Sequence, residues 1–132
     1  MSEPNKAFVR SWLVEVFNKR NLKLFDEYFA LSSNEDFKRF IADLSVSFPD
    51  MIVTIERQIA EGDWVATWAT TRGTHKGEFL GIPPTGKQVE WQGMSFDRLA
   101  DGKIVEHGSI PDFLGVAQQL GASFQPQPQA GK

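Results

Sequence analysis

The hydrophobic period of this chain changes once, at Met51, and that switch constrains its fold more than any other feature. Ahead of it, Phe8, Trp12 and Val16 recur every four residues, with Val9, Leu13 and Phe17 beside them. This spacing lays a broad apolar stripe along one side of a helix. Polar Asn18–Asn21 predicts its end, and a short second helix is expected from about Leu22 to Ala30, burying Leu24, Phe25, Tyr28 and Phe29. Ser32, Ser33 and Asn34 are N-cap candidates for a third helix, because their side-chain oxygens can accept from its unpaired first amides. Phe37, Phe40, Ile41, Leu44 and Phe48 then repeat at three- and four-residue steps until Pro49-Asp50 stops the run.

From Met51 onward the period is two. Met51, Val53, Ile55 and Ile59 alternate with Ile52, Thr54, Glu56 and Gln58, the pattern of a strand. Glu61-Gly62-Asp63 predicts a turn, Trp64–Gly73 a second strand, Gly77–Gly86 a loop and Val89–Leu99 a third strand. Asp101-Gly102 is a hairpin signal, with Ile104–Ile110 returning as a fourth strand that Pro111 interrupts. A last helix is expected over Phe113–Leu120, ended by Gly121. Helices first and uninterrupted strands afterwards make an α+β chain. Its four to five strands form a curved, mainly antiparallel sheet packed against the N-terminal helices. At 132 residues one domain is expected, over 1–121, with 122–132 as a flexible tail.

Composition removes several function classes. The 14 Lys and Arg against 17 Asp and Glu leave a net charge of -3 and no basic stripe, so no nucleic-acid partner is expected. There is no cysteine, which excludes disulfides, thiolate metal sites and thiol catalysis, and fits a reducing compartment. No apolar run reaches the ~18 residues of a membrane span, so no membrane association and a cytoplasmic location are expected. The two histidines, His75 and His107, form no HxxxH or HExxH spacing. The glycine-rich loop lacks both phosphate-binding patterns. No metal and no cofactor are therefore expected. Gly93-Met94-Ser95 begins a nucleophile-elbow pattern that Asp97 and a mid-strand setting do not complete.

A longer constellation is more telling. Thr74-His75-Lys76-Gly77-Glu78-Phe79-Leu80-Gly81-Ile82-Pro83-Pro84-Thr85-Gly86 is followed by Asp101-Gly102-Lys103-Ile104-Val105-Glu106-His107, then by Asp112, Gly115 and Gln118-Gln119-Leu120-Gly121. Together with Phe48-Pro49-Asp50 and Ala60-Glu61-Gly62-Asp63, this resembles the SnoaL-like polyketide cyclase (ester cyclase) family from about residue 7 to residue 121. The resemblance implies the cone-shaped fold named for nuclear transport factor two, with one pocket. It also implies an aldol-type ring closure without metal or cofactor, acting on a small apolar or aromatic carbonyl compound. Family members usually carry an extended segment with a histidine between the second and third helices, where this chain has only Ala30–Ser33. Gly108 and Pro111 stand where bulky residues are common, and Asp97 where Phe is common.

Carried over by position, the family's acid/base aspartate is Asp112. A carboxylate there can take a proton from a carbon flanked by carbonyls and return it to the new alkoxide. The alternative is that Asp112 caps the final helix, which begins at Phe113. His75 is expected to assist at the pocket mouth, or instead to bond the backbone of the following loop. Trp68, Trp91, His107 and Phe79 are the expected substrate-binding residues, with a packing role in the core as the alternative for the tryptophans. Glu106 and His107 point to opposite faces of their strand, and only one can face the pocket. Met94 and Phe96 share the opposite strand face from Trp91 and Ser95, which predicts an apolar outer sheet face and a homodimer. A cyclase, lyase or isomerase is one reading, and a non-catalytic small-molecule-binding protein on the same scaffold is the other.

Overall fold

A computed structural model describes residues 2–123; the tail expected from 122 onward lies, from Phe124, outside the described residues. The first helix, α1 (Ser2–Trp12), passes directly into wider π-helical turns over Leu13–Asn18. Asn18 ends the run by clasping the backbone of Val53: its Oδ1 accepts from the amide at 2.8 Å and its Nδ2 donates to the carbonyl at 3.1 Å. The expected second helix is a tight turn over Leu22–Leu24 followed by α2 (Phe25–Tyr28). The third, α3 (Asn34–Ser47), has Ser33 as its N-cap, with Oγ accepting from the Asp36 amide at 3.3 Å.

Four strands follow: β1 (Ile52–Glu61), β2 (Trp64–Thr74), β3 (Gln88–Ala100) and β4 (Lys103–Pro111), with α4 (Phe113–Gln119) after them. They form an antiparallel meander in the order β1-β2-β3-β4. The hairpin at Asp101-Gly102 uses positive φ at both residues, 53° and 79°, as a tight turn between right-twisted strands requires. The expected alternation of β1 holds only in its first half. A bulge between Ile55 and Arg57 inserts one residue, so Val53 and Ile55 face the core while Ile59 turns outward and is 63% exposed. Pro111 ends β4 on the sheet edge, where a missing amide costs no ladder bond. The chain at Phe29-Ala30 lies along that same edge, bridging Ile104 in parallel, with the Ala30 amide donating to the Ile104 carbonyl at 2.8 Å. That contact partly covers the unpaired edge of β4.

Two apolar clusters sit on the inner face. One gathers Val9, Trp12, Val16, Phe25, Phe29, Val65 and Ile104 beneath the first helices. The other gathers Leu44, Phe48, Met51, Phe79, Trp91, Val116 and Leu120 around α4 and the loop after β2. Gly77 in that loop is held to glycine by packing, since a Cβ there would lie 2.3 Å from the Val46 carbonyl oxygen.

Candidate active site

A partly open cavity of about 110 Å³ lies between the helices and the inner sheet face. Trp12 and Phe17 from the first helical run and Phe37 and Phe40 from α3 form one wall. Thr67, Trp91, Ser95, His107 and Ser109 form the sheet side. Alternation selects these residues: on β3, and on β4 beyond the register shift that follows Ile104, the odd-numbered side chains point inward. Among the described residues lining the cavity, His107 is the only titratable one.

His107 does not stand alone. Its Nδ1 lies 2.5 Å from Asp97 Oδ1. Asp97 is 0% exposed, and its other oxygen, Oδ2, is buried without a hydrogen-bond partner. Phe37 stacks on the imidazole at 4.4 Å, while Trp12 and Phe29 meet it edge-on at 6.1 Å and 6.0 Å. Among the described residues the Trp12 indole nitrogen is likewise buried without a partner. The Asp97–His107 pairing comes from strand register. Counted back from the hairpin turn without interruption, Asp97 falls opposite Glu106. A shift between Arg98 and Leu99 moves the ladder by one, so Asp97 faces His107 and Arg98 faces Glu106. Glu106 therefore points outward, accepting from Arg98 Nη2 at 3.1 Å. Sequence reasoning misses Asp97 as a site residue because a bulge in a short hairpin leaves no signature of its own.

The other expected site residues are dispersed. Trp91 is buried in the cavity wall as expected. Trp68 lies on the outer face, 38% exposed, its indole N–H donating to Gln92 Oε1 at 3.3 Å; its even position on β2 turns it away from the cavity. Phe79 packs in the second cluster, 5.2 Å from each of Phe48 and Phe113, and does not line the cavity. His75 is fully buried under the following loop, outside the cavity wall. The Thr85 amide donates to its Nδ1 at 3.2 Å, and the Thr85 hydroxyl lies 3.0 Å from the same atom. Asp112 is exposed and caps α4, its Oδ1 accepting from the Gly115 amide at 2.9 Å. Its neighbours Pro111 and Phe113 both line the cavity, so its backbone runs along the cavity's edge. Among the described residues no three His, Asp or Glu side chains converge as metal ligands would. No helix among them is long and apolar enough to cross a membrane.

An antiparallel meander closed on one face by N-terminal helices, with an apolar cavity between, is the α+β architecture named for nuclear transport factor two. Within that class the chain belongs to the SnoaL-like polyketide cyclase family, whose model matches residues 7–120. Over 86 residues it is 33% identical to the nogalonic acid methyl ester cyclase of Streptomyces nogalater, a stretch covering 64% of each chain. Over 96 residues it is 32% identical to an aklanonic acid methyl ester cyclase of Streptomyces galilaeus, covering 72% of this chain and 67% of that one. The match thus spans just under two thirds of the first relative's own length. Among solved structures, IdmH of Streptomyces antibioticus, provisionally assigned as a polyketide cyclase, superposes with a TM-score of 0.80 at 30% identity, covering 89% of this chain and 99% of that one. AclR of Streptomyces galilaeus, provisionally assigned as a hydroxylase, gives 0.79 at 28% identity, with 89% and 96% covered.

Proposed function

We propose that this chain catalyses an aldol-type ring closure on a small aromatic carbonyl compound, by proton transfer alone and without metal or cofactor. The observation that carries this reading is the apolar, aromatic cavity with a single titratable side chain in its wall. Such a site holds a flat, uncharged ligand and keeps proton traffic to a few defined groups. The relatives described above are named as cyclases of nogalonic acid and aklanonic acid methyl esters, and a ligand of that kind, with an ester carbonyl that acidifies the neighbouring carbon, fits this reading. The cavity is small beside the ~300–1,000 Å³ of drug-sized sites, which favours a compact ligand. Following the family resemblance, Asp112 takes the carbon proton from the cavity's edge. Its carboxylate retains acceptor capacity beyond the one bond it makes to the Gly115 amide.

The test is turnover of an aromatic β-keto ester bearing a second ketone placed to close a six-membered ring. Wild type is expected to cyclise it, and Asp112→Asn to fold normally while losing about 10²–10⁴-fold in rate. Retained turnover in that variant contradicts the role of Asp112. A second reading is favoured by one observation, the exposed capping geometry of Asp112: a protein that binds apolar ligands without turning them over. Binding of the same compound with no turnover by wild type would select it. We also infer a homodimer paired through the outer sheet face, and a cytoplasmic location in keeping with a cysteine-free chain.

A further inference from the structure

We infer that Asp97, His107 and Trp12 form a site for the ligand's reacting carbonyl oxygen, with His107 Nε2 as the atom that protonates the new alkoxide and Asp97 as its positioning residue. The inference rests on the cyclase reading above and adds the second half of its proton balance. Three observations carry it. First, Asp97 is a fully buried carboxylate whose single polar contact among the described residues is His107 Nδ1. A buried carboxylate is costly unless a donor, and preferably a charge, compensates it. The imidazole supplies the donor through Nδ1–H, and the compensating charge whenever both its nitrogens are protonated. Second, with Nδ1 occupied, Nε2 is the nitrogen left for a ligand, and the ring lies in the cavity wall clamped by Phe37 at 4.4 Å. Third, Trp12, whose ring centre is 6.1 Å from that of His107, lines the same cavity, and its indole N–H is buried with no partner among the described residues. A buried donor without a partner is rare, and beside a cavity it takes an acceptor from a ligand once the indole turns towards it. A carbonyl oxygen is an acceptor of that kind.

The step balances without a co-reactant. The carbon acid's proton goes to Asp112, and its electron pair forms the new carbon–carbon bond to the ketone carbon. The ketone's π pair moves to its oxygen, and that oxygen takes the Nε2 proton of His107 in its doubly protonated form, which leaves the ring neutral with its remaining proton on Nδ1 facing Asp97. Asp112 then returns its proton, and His107 regains one, by exchange with water, so the net reaction is an isomerisation.

The chain has two histidines, which makes ring-nitrogen NMR of the ¹⁵N-histidine-labelled protein decisive. His107→Gln assigns the signals by removing one set. In wild type, His107 Nδ1 is expected to carry a proton, whereas Asp97→Asn, as a side-chain amide facing Nδ1, is expected to move the neutral ring's proton to Nε2. A wild-type ring with bare Nδ1, or a ring that Asp97→Asn leaves unchanged, overturns the inference. The diketo ester named above supplies the second arm. His107→Gln is expected to lower kcat by about 10²–10⁴-fold with little change in KM, while Trp12→Phe raises KM. Full kcat in a folded His107→Gln overturns the proton-donor role while leaving the cyclase reading intact. If wild type turns over nothing, the cyclase reading fails on its own. The ring signals on adding the compound then decide the oxygen site: a shift at His107 Nε2 supports it, and no shift overturns it.

Discussion

Asp112 and Gly115 lie in close contact at the start of α4. A Cβ at position 115 would lie 2.4 Å from Asp112 Oδ2, so any larger residue there would push the capping carboxylate aside. Asp112→Asn should therefore keep most of the capping energy, because Asn is itself a good N-cap. Asp112→Ala should lose roughly 0.5–2 kcal/mol of stability in chemical denaturation, whatever either variant does to turnover. Equal stability of the Ala variant and wild type would show that the cap contributes nothing. A second carboxylate, Asp50, anchors the far end of β2: it accepts from the Thr74 amide at 2.7 Å and from the Thr74 hydroxyl at 2.6 Å. These bonds hold its carboxyl below the ordinary 3.8. Its contribution is thus fully present above that value and is lost as pH falls through the lower folded one. Thermal melts should show wild type losing stability on acidification more steeply than Asp50→Ala, and parallel curves would count against the bond. At this scale the sequence was informative about the cap, since an aspartate directly ahead of the first residue of a helix is a local pattern. It was uninformative about Asp97, whose importance depends on which residue a neighbouring strand sets opposite it.

Elements were legible where one face is buried throughout. The third helix, the four strands and the Asp101-Gly102 turn fall within a few residues of the positions that periodicity predicts, because burial on one side imposes a regular repeat. Two features were not legible. The π-helical stretch after α1 follows the same apolar spacing as an ordinary helix, and the β1 bulge lies between residues compatible with either face. The bulge matters because it absorbs one residue and so keeps Gln58 inward, where its Nε2 donates to the Lys6 carbonyl at 3.2 Å and to Thr67 Oγ1 at 3.3 Å, tying β1 to α1. Deleting Glu56, the unpaired residue of the bulge, should leave Gln58 inward and Ile59 outward but straighten the strand and remove the bond that Thr70 Oγ1 donates to Glu56 at 2.7 Å. A fall in melting temperature of at least ~4 °C is expected, about 1 kcal/mol for a chain near this size. An unchanged melt would mean that the bulge is dispensable.

At the scale of the whole molecule the two sheet faces divide the work. The inner face carries the cavity, and the outer face carries Ile59, Trp64, Met94, Phe96 and Ile110, the last 80% exposed. Apolar side chains gathered on one face mark an interaction surface. Pairing two copies through it should bury more than ~1,200 Å² in total. Light scattering at micromolar concentration should give a dimer, and Phe96→Glu a monomer with unchanged secondary structure; a wild-type monomer would contradict the pairing. The apolar outer face could be read in the sequence from the parity of Met94 and Phe96, whereas Trp68 was expected in the pocket because large aromatics favour burial, while the inner face of β2 is built from the smaller Val65, Thr67, Ala69 and Thr71. The central claim, that chemistry takes place on the inner face around His107, is tested most directly by a crystal structure with the aromatic diketo ester, or its cyclised product, bound. The account predicts density between Phe37 and Trp91, with a ligand oxygen about 2.6–3.2 Å from His107 Nε2. A ligand seated instead on the outer face beside Trp64 and Phe96, with the inner cavity left empty, would contradict it.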